Sequence, residues 1–250
     1  MISFNTENGK SLICFISNWL SEAADKQLLN KYFGVSIVIL ILFVLVASLV
    51  SPKAGFSNAN NFPFTKADSA AFLDINNSHH HPFDKWMIWS TKYGRDAFWP
   101  IVIILLFVLG GWTGKKTAAV MAISMFVLIP LGIVAKDLVS RPRPEIPKTD
   151  FLIAADKDYG FPSGEALIVS AGAAVALALY RNTPRRLGIS ILLAIEAALV
   201  CISSVYIGGH YPLDVVGGIL LGVGVSFIFV GIEKRIESLI MPIVKILKKP

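Results

Sequence analysis

The chain has 250 residues, 54% of them hydrophobic and only 16% charged, with a mean hydropathy of +0.65. These values exclude a soluble domain of ordinary composition and describe an integral membrane protein, all-α, with membrane lipids as its surroundings. The formal net charge of +6 reads as a topology signal, so nucleic acid is not expected as a partner.

Residues 1–31 read as a cytoplasmic interfacial segment. They lack a compact apolar stretch ahead of a small-residue cleavage site, and Leu12, Ile13, Phe15, Ile16, Trp19 and Leu20 recur at helical spacing, as in a helix lying on the inner leaflet. Residues 32–232 read as a six-helix transmembrane bundle. Apolar runs at 32–50, 97–112, 117–139, 187–207 and 211–232 approach or reach the roughly 20 residues a crossing needs. A sixth, 166–180, completes a span if its helix begins at the preceding Pro-Ser-Gly turn.

Between the first two runs, residues 51–96 are the least hydrophobic part of the chain and predict an outer lid loop. Phe72, Leu73, Phe83, Trp86 and Trp89 there allow one or two interfacial helices, and His79, His80 and His81 read as polar loop, with no metal assigned. Gly218 and Gly222, together with Ala171, Gly172, Ala174 and Ala178, predict close helix packing. Residues 233–250 form a basic amphipathic tail, broken at Pro242, that either holds anionic lipid or is a solvated helix end. Cys14 and Cys201 lie at different depths and read as packing residues.

Six crossings place both termini on one side. With the termini in the cytoplasm, the inner segments hold 13 of the 23 Lys and Arg but only five of the 17 Asp and Glu. The positive-inside rule favours that orientation, with the Pro-Ser-Gly turn outside.

Three polar clusters fall at the outer ends of the last four helices, where charge is costly without a partner. Lys136 is followed by Arg143-Pro144; Phe161-Pro162-Ser163-Gly164-Glu165 opens a helix; Ser203-Ser204 precede His210, with Asp214 four residues on. Lys136 offers a point charge and Arg143 a bidentate fork for phosphoryl oxygens. Ser163 and Gly164 would present N–H groups at a helix N-terminus. Asp214, one turn from His210, would hold one ring nitrogen and aim the other at a substrate as nucleophile.

These residues resemble the type-2 phosphatidic acid phosphatases, whose pattern is Lys-x6-Arg-Pro, then Pro-Ser-Gly-His, then Ser-Arg-x5-His-x3-Asp. Lys136, Arg143 and Pro144 meet the first motif; Pro162, Ser163 and Gly164 meet the second; Ser203, His210 and Asp214 meet the third. The resemblance implies a multi-pass phosphatase without cofactor or metal, working through a phosphohistidine on His210 and acting on lipid phosphates or polyprenyl diphosphates. In two places the chain departs from the pattern: Glu165 stands where the family has its acid histidine, and Ser204 where it has an arginine.

Glu165 can serve as the acid if burial and bound phosphate hold its proton, whereas Lys136, Arg143 and the helix N-terminus act to remove it. Arg141 is a candidate for the missing guanidinium, although an extended backbone would turn it and Arg143 to opposite sides. The expected site is thus His210, Asp214 and Glu165 for catalysis, with Lys136, Arg143, Ser163, Gly164, Ser204 and Arg141 around the phosphate. A divalent cation gathered by Glu165, His210 and Asp214 is a competing arrangement, weakened because Asp214 is needed to orient the histidine. The alternatives to hydrolysis are a member that binds lipid phosphate or partners without cleaving it, and a lipid phosphotransferase. Sequence leaves the oligomeric state open.

Overall fold

The computed structural model describes residues 29–54, 63–78, 81–145 and 158–247. The elements of regular structure among them are all helical. In chain order they are α1 (Leu29–Val50), a short 3-10 turn (Pro52–Ala54), α2 (Pro63–Asn76), α3 (His81–Tyr93), a wide π-helical turn (Gly94–Phe98) and α4 (Trp99–Leu109). These are followed by α5 (Gly111–Val139), α6 (Gly164–Leu179), α7 (Pro184–Tyr206), α8 (Pro212–Gly231) and α9 (Glu233–Leu247).

Four of these helices, α1, α5, α7 and α8, are long and apolar enough to cross a membrane. The two remaining predicted spans take shorter forms. The run at 97–112 becomes α4, of 11 residues, continuous through the π-helical turn with α3. The run at 166–180 becomes α6, 16 residues long, started by Ser163, whose hydroxyl accepts from the Ala166 N–H. Every residue of α6 from Ala166 to Ala176 is buried, so this helix is the axis about which α5, α7 and α8 pack.

Small residues make that packing possible. A Cβ on Gly218 would come within 2.6 Å of the Ser163 carbonyl oxygen, and one on Gly222 within 2.3 Å of the Leu167 carbonyl oxygen, distances no side chain tolerates. The α6 and α8 backbones therefore touch directly, as the G-x-x-x-G spacing predicts. On another face of α6, Gly172 lies against the buried Trp99 ring.

Where a lid loop was expected, the described part of 51–96 is mostly helix. α2 is held over the C-terminal end of α7 and the N-terminal end of α8 by Asp68, which accepts from the Leu213 N–H at 2.9 Å, and by Asn76, which donates to the Tyr206 carbonyl at 3.1 Å. α3 is tied to α7 by Tyr206 Oη donating to Asp84 at 2.7 Å and by Thr91 donating to Ser203 at 2.7 Å. Buried Phe72 and its edge contact with Tyr211 complete the attachment.

The expected break at Pro242 is absent: α9 runs through it. The proline sits on an exposed face, and α9 is anchored upstream, where Glu237 accepts from Trp112 Nε1 at 2.5 Å and lies 3.2 Å from Lys116 Nζ. The interfacial segment before residue 29, Cys14, His79 and His80 lie outside the described residues, as does the side chain of His81.

Candidate active site

The C-terminal end of α5, the N-terminal ends of α6 and α8 and the segment after α7 meet at one end of the bundle. α5 stops where Ser140 turns into the left-handed region at φ 55°, and the chain then runs without regular structure through 141–145. That strand-like stretch is tied to the approach to α6 by the Gly160 N–H, which donates to the Arg141 carbonyl at 2.8 Å. The Ser163 N–H donates to the Asp214 carbonyl at 2.9 Å, linking the starts of α6 and α8. Asp214 reaches back from the first turn of α8 to accept from the Tyr211 N–H at 2.9 Å.

His210, just ahead of α8, is almost fully buried. Its Nδ1 lies 2.8 Å from the Gly160 carbonyl oxygen and 3.7 Å from Asp214 Oδ2. A carbonyl can only accept, so Nδ1 carries a proton and Gly160 orients the ring, with Asp214 behind it. The other nitrogen, Nε2, is 3.2 Å from Arg143 Nη1 and 3.2 Å from Glu165 Oε2. Burial opposes the imidazolium, but the carboxylates of Asp214 and Glu165 outweigh it, so the ring keeps its second proton to higher pH than an ordinary histidine. The two carboxylates face different ring nitrogens and do not converge on a single point with the imidazole.

Beside Nε2 lies an anion cradle. Lys136 Nζ hydrogen-bonds Asp158 Oδ2, and Arg143 Nη2 lies 2.5 Å from Asp158 Oδ1 while its Nη1 also donates to the Gly209 carbonyl at 2.9 Å. Partial burial raises the Asp158 carboxyl, but hydrogen bonds from Lys136 and Arg143 outweigh this and hold it below the usual carboxylate range. A carboxylate thus occupies the meeting point of the two cations the motifs assign to phosphate.

On the far side, Glu165 bridges two partners, with Oε2 toward His210 and Oε1 accepting from Arg95 Nη1 at 3.1 Å. The Ser163 hydroxyl also donates to Glu165 Oε2, at 3.2 Å. Gly164 faces the same space, with Arg95 Nη1 3.4 Å from the place a Cβ would take.

The fold therefore gathers Lys136, Arg143, Ser163, Gly164, Glu165, His210 and Asp214. Two expected phosphate contacts are turned away from it. Arg141 is buried and bonded to Asp214 Oδ1 at 2.6 Å and Asp68 Oδ2 at 2.5 Å, with its guanidinium 4.3 Å from the centre of the Tyr211 ring. Alternation along the extended stretch sends it to the opposite side from Arg143. The Ser204 hydroxyl, also buried, donates to the Cys201 carbonyl of its own helix at 2.8 Å. The Ser163 N–H, expected to face an anion, is taken by Asp214. Sequence reasoning missed Arg95, Asp158, Gly160 and Asp68, none of which belongs to a motif.

The model of the PAP2 superfamily matches residues 115–237, the part of the chain that carries Lys136, Arg143, Ser163, Gly164, Glu165, His210 and Asp214. An undecaprenyl-diphosphatase from Sulfolobus acidocaldarius is 34% identical over 210 residues, covering 81% of this chain and 96% of that protein. An undecaprenyl-diphosphatase from Bacillus subtilis is 26% identical over 170 residues, covering 67% of this chain and 82% of its own length. The crystal structure of a transmembrane PAP2 type phosphatidylglycerolphosphate phosphatase from Bacillus subtilis superimposes with a TM-score of 0.62 at 22% identity, over 80% of this chain and 96% of that one. The helical arrangement, the order of the motif residues and a similarity that extends over nearly the whole of the Sulfolobus protein agree: the chain belongs to the PAP2 superfamily of membrane phosphatases.

Proposed function

We propose that the protein hydrolyses a lipid phosphate or polyprenyl diphosphate at the extracytoplasmic face of the cell membrane, through a phosphohistidine on His210. The observation that carries this reading is the position of His210 Nε2, next to Arg143 and an anion cradle, on a ring whose Nδ1 is fixed by the Gly160 carbonyl. In the first step the Nε2 lone pair bonds to phosphorus, and the bond from phosphorus to the leaving oxygen breaks with its electron pair on that oxygen. Water then cleaves the N–P bond and releases inorganic phosphate.

Lys136 and Arg143 hold the transferring phosphoryl group after Asp158 gives way to it. Gly164 lets the phosphate approach the start of α6. Glu165, 3.2 Å from Nε2, then accepts a proton from the water that cleaves the N–P bond, a role this contact supports. Arg141 holds Asp214 in place.

A cavity of about 760 Å³ between α4, α5 and α6 supports a lipid substrate. Its polar end carries Arg95, Lys136 and Asp158, and its apolar wall includes Ile104, Phe126, Ile129 and Ile133, side chains exposed on the face that lipid would cover. A phosphate at the polar end and an isoprenoid or acyl chain along that wall fit one amphipathic ligand.

The test is phosphate release by purified protein in detergent, with chelator present, from polyprenyl diphosphate, phosphatidic acid and phosphatidylglycerol phosphate, beside His210→Ala. The expected result is release that the substitution abolishes. No release above the variant from any of the three would instead leave a lipid phosphate binding protein.

A further inference from the structure

Arg95 lies outside every motif, on the π-helical turn between α3 and α4. Its Nε and Nη2 are held by Asp96 at 2.6 and 3.1 Å, and its Nη1 meets Glu165 Oε1 at 3.1 Å. The order across the site is therefore the cradle of Lys136 and Arg143, then His210 Nε2, then Glu165, then Arg95. Arg95 also stands at the polar end of the cavity that opens between α4, α5 and α6. Arg95 thus both touches Glu165 and lines the cavity proposed for the lipid.

We infer that Arg95 binds the leaving phosphate of a lipid diphosphate, and that with Glu165 it makes the site select phosphoric anhydrides over phosphate monoesters. This rests on the phosphohistidine reading above. The reason is the chemistry of the two leaving groups. A monoester expels an alkoxide, whose conjugate acid is, like water, far too weak an acid for the oxygen to leave as an anion, so the departing oxygen needs a proton. A diphosphate expels a lipid monophosphate, whose last pKa is about 6, so it leaves as an anion and needs a cation beside it.

Glu165, with one oxygen paired to a guanidinium and the other facing an imidazole, is arranged as a carboxylate and is a poor proton donor. Arg95 supplies the complementary cation, aligned by Asp96. In the anhydride reaction the bond between the terminal phosphorus and the bridging oxygen breaks. Its electron pair stays on the bridging oxygen of the lipid monophosphate as the N–P bond forms on His210.

The experiment compares kcat/KM of the full chain and its Arg95→Ala and Arg95→Lys variants on a polyprenyl diphosphate and on the monophosphate of the same chain length. Inhibition by orthophosphate and by inorganic diphosphate is measured in parallel. The expected result is a wild type that prefers the diphosphate and an Arg95→Ala loss on it on the order of 100-fold, with a loss on the monophosphate at least about tenfold smaller. Inhibition by inorganic diphosphate should weaken while inhibition by orthophosphate, held by Lys136 and Arg143, persists, and Arg95→Lys should recover part of the diphosphate activity. Equal losses on both substrates, or a wild type that prefers the monophosphate, would overturn the inference. Activity that survives His210→Ala would instead overturn the phosphohistidine reading beneath it.

Discussion

At His210 the contacts lead to a pH dependence. Its raised pKa means that the nucleophilic, neutral ring is lost as pH falls through that value, so kcat/KM should fall on the acid side with a midpoint above that of an ordinary histidine. Glu165→Gln removes one of the two carboxylates responsible, and the acid limb should move to lower pH by roughly one unit. A limb that stays in place would remove Glu165 from contact with the nucleophile. Asp158 leads to a second prediction. Because its carboxylate sits between Lys136 and Arg143, Asp158→Ala should tighten competitive inhibition by orthophosphate and lower KM. Weaker inhibition would instead make Asp158 part of the binding surface.

Among the elements, the joint between α2 and α8 bears most on the site. Asp68, Arg141 and Asp214 form a buried triad in which the arginine joins two carboxylates that would otherwise repel. Removing one member of such a group leaves an uncompensated buried charge at a cost of about 3–5 kcal/mol. Arg141→Met should therefore lower thermal stability in detergent markedly, whereas Asp68→Asn together with Arg141→Met should restore part of it. An Arg141→Met protein that melts like wild type but loses phosphate affinity would return Arg141 to the phosphate site. The α6–α8 contact is the other sensitive joint: at Gly222 even a methyl group meets backbone, so Gly222→Ala should cost roughly 1–3 kcal/mol, read from the same melting curve.

For the whole molecule the prediction concerns sidedness. In a background without Cys14 and Cys201, cysteine at Lys66 on α2 should react with a membrane-impermeant maleimide in intact cells, and cysteine at Arg185 only after permeabilisation. The reverse labelling would turn the site to the cytoplasm.

Membrane character, the positions of the apolar runs and the motif side chains were all legible in the sequence, because hydropathy and short spacings are local properties of the chain. The backbone contact of α6 with α8 was legible too, since a pair of glycines four apart has few other uses in a span. Whether α4 and α6 would reach the length of the other spans was not, because their ends are set by the π-helical turn and by the Ser163 cap within the assembled bundle. Nor could sequence show that Gly160, 50 residues from His210, holds the imidazole by a backbone carbonyl, a group every residue carries. Arg95 and Asp158 reach the site, and Arg141 and Ser204 leave it, through side-chain direction and contacts between segments far apart in the chain. Residue type and spacing specify the motif side chains; only tertiary packing decides which other charges face them.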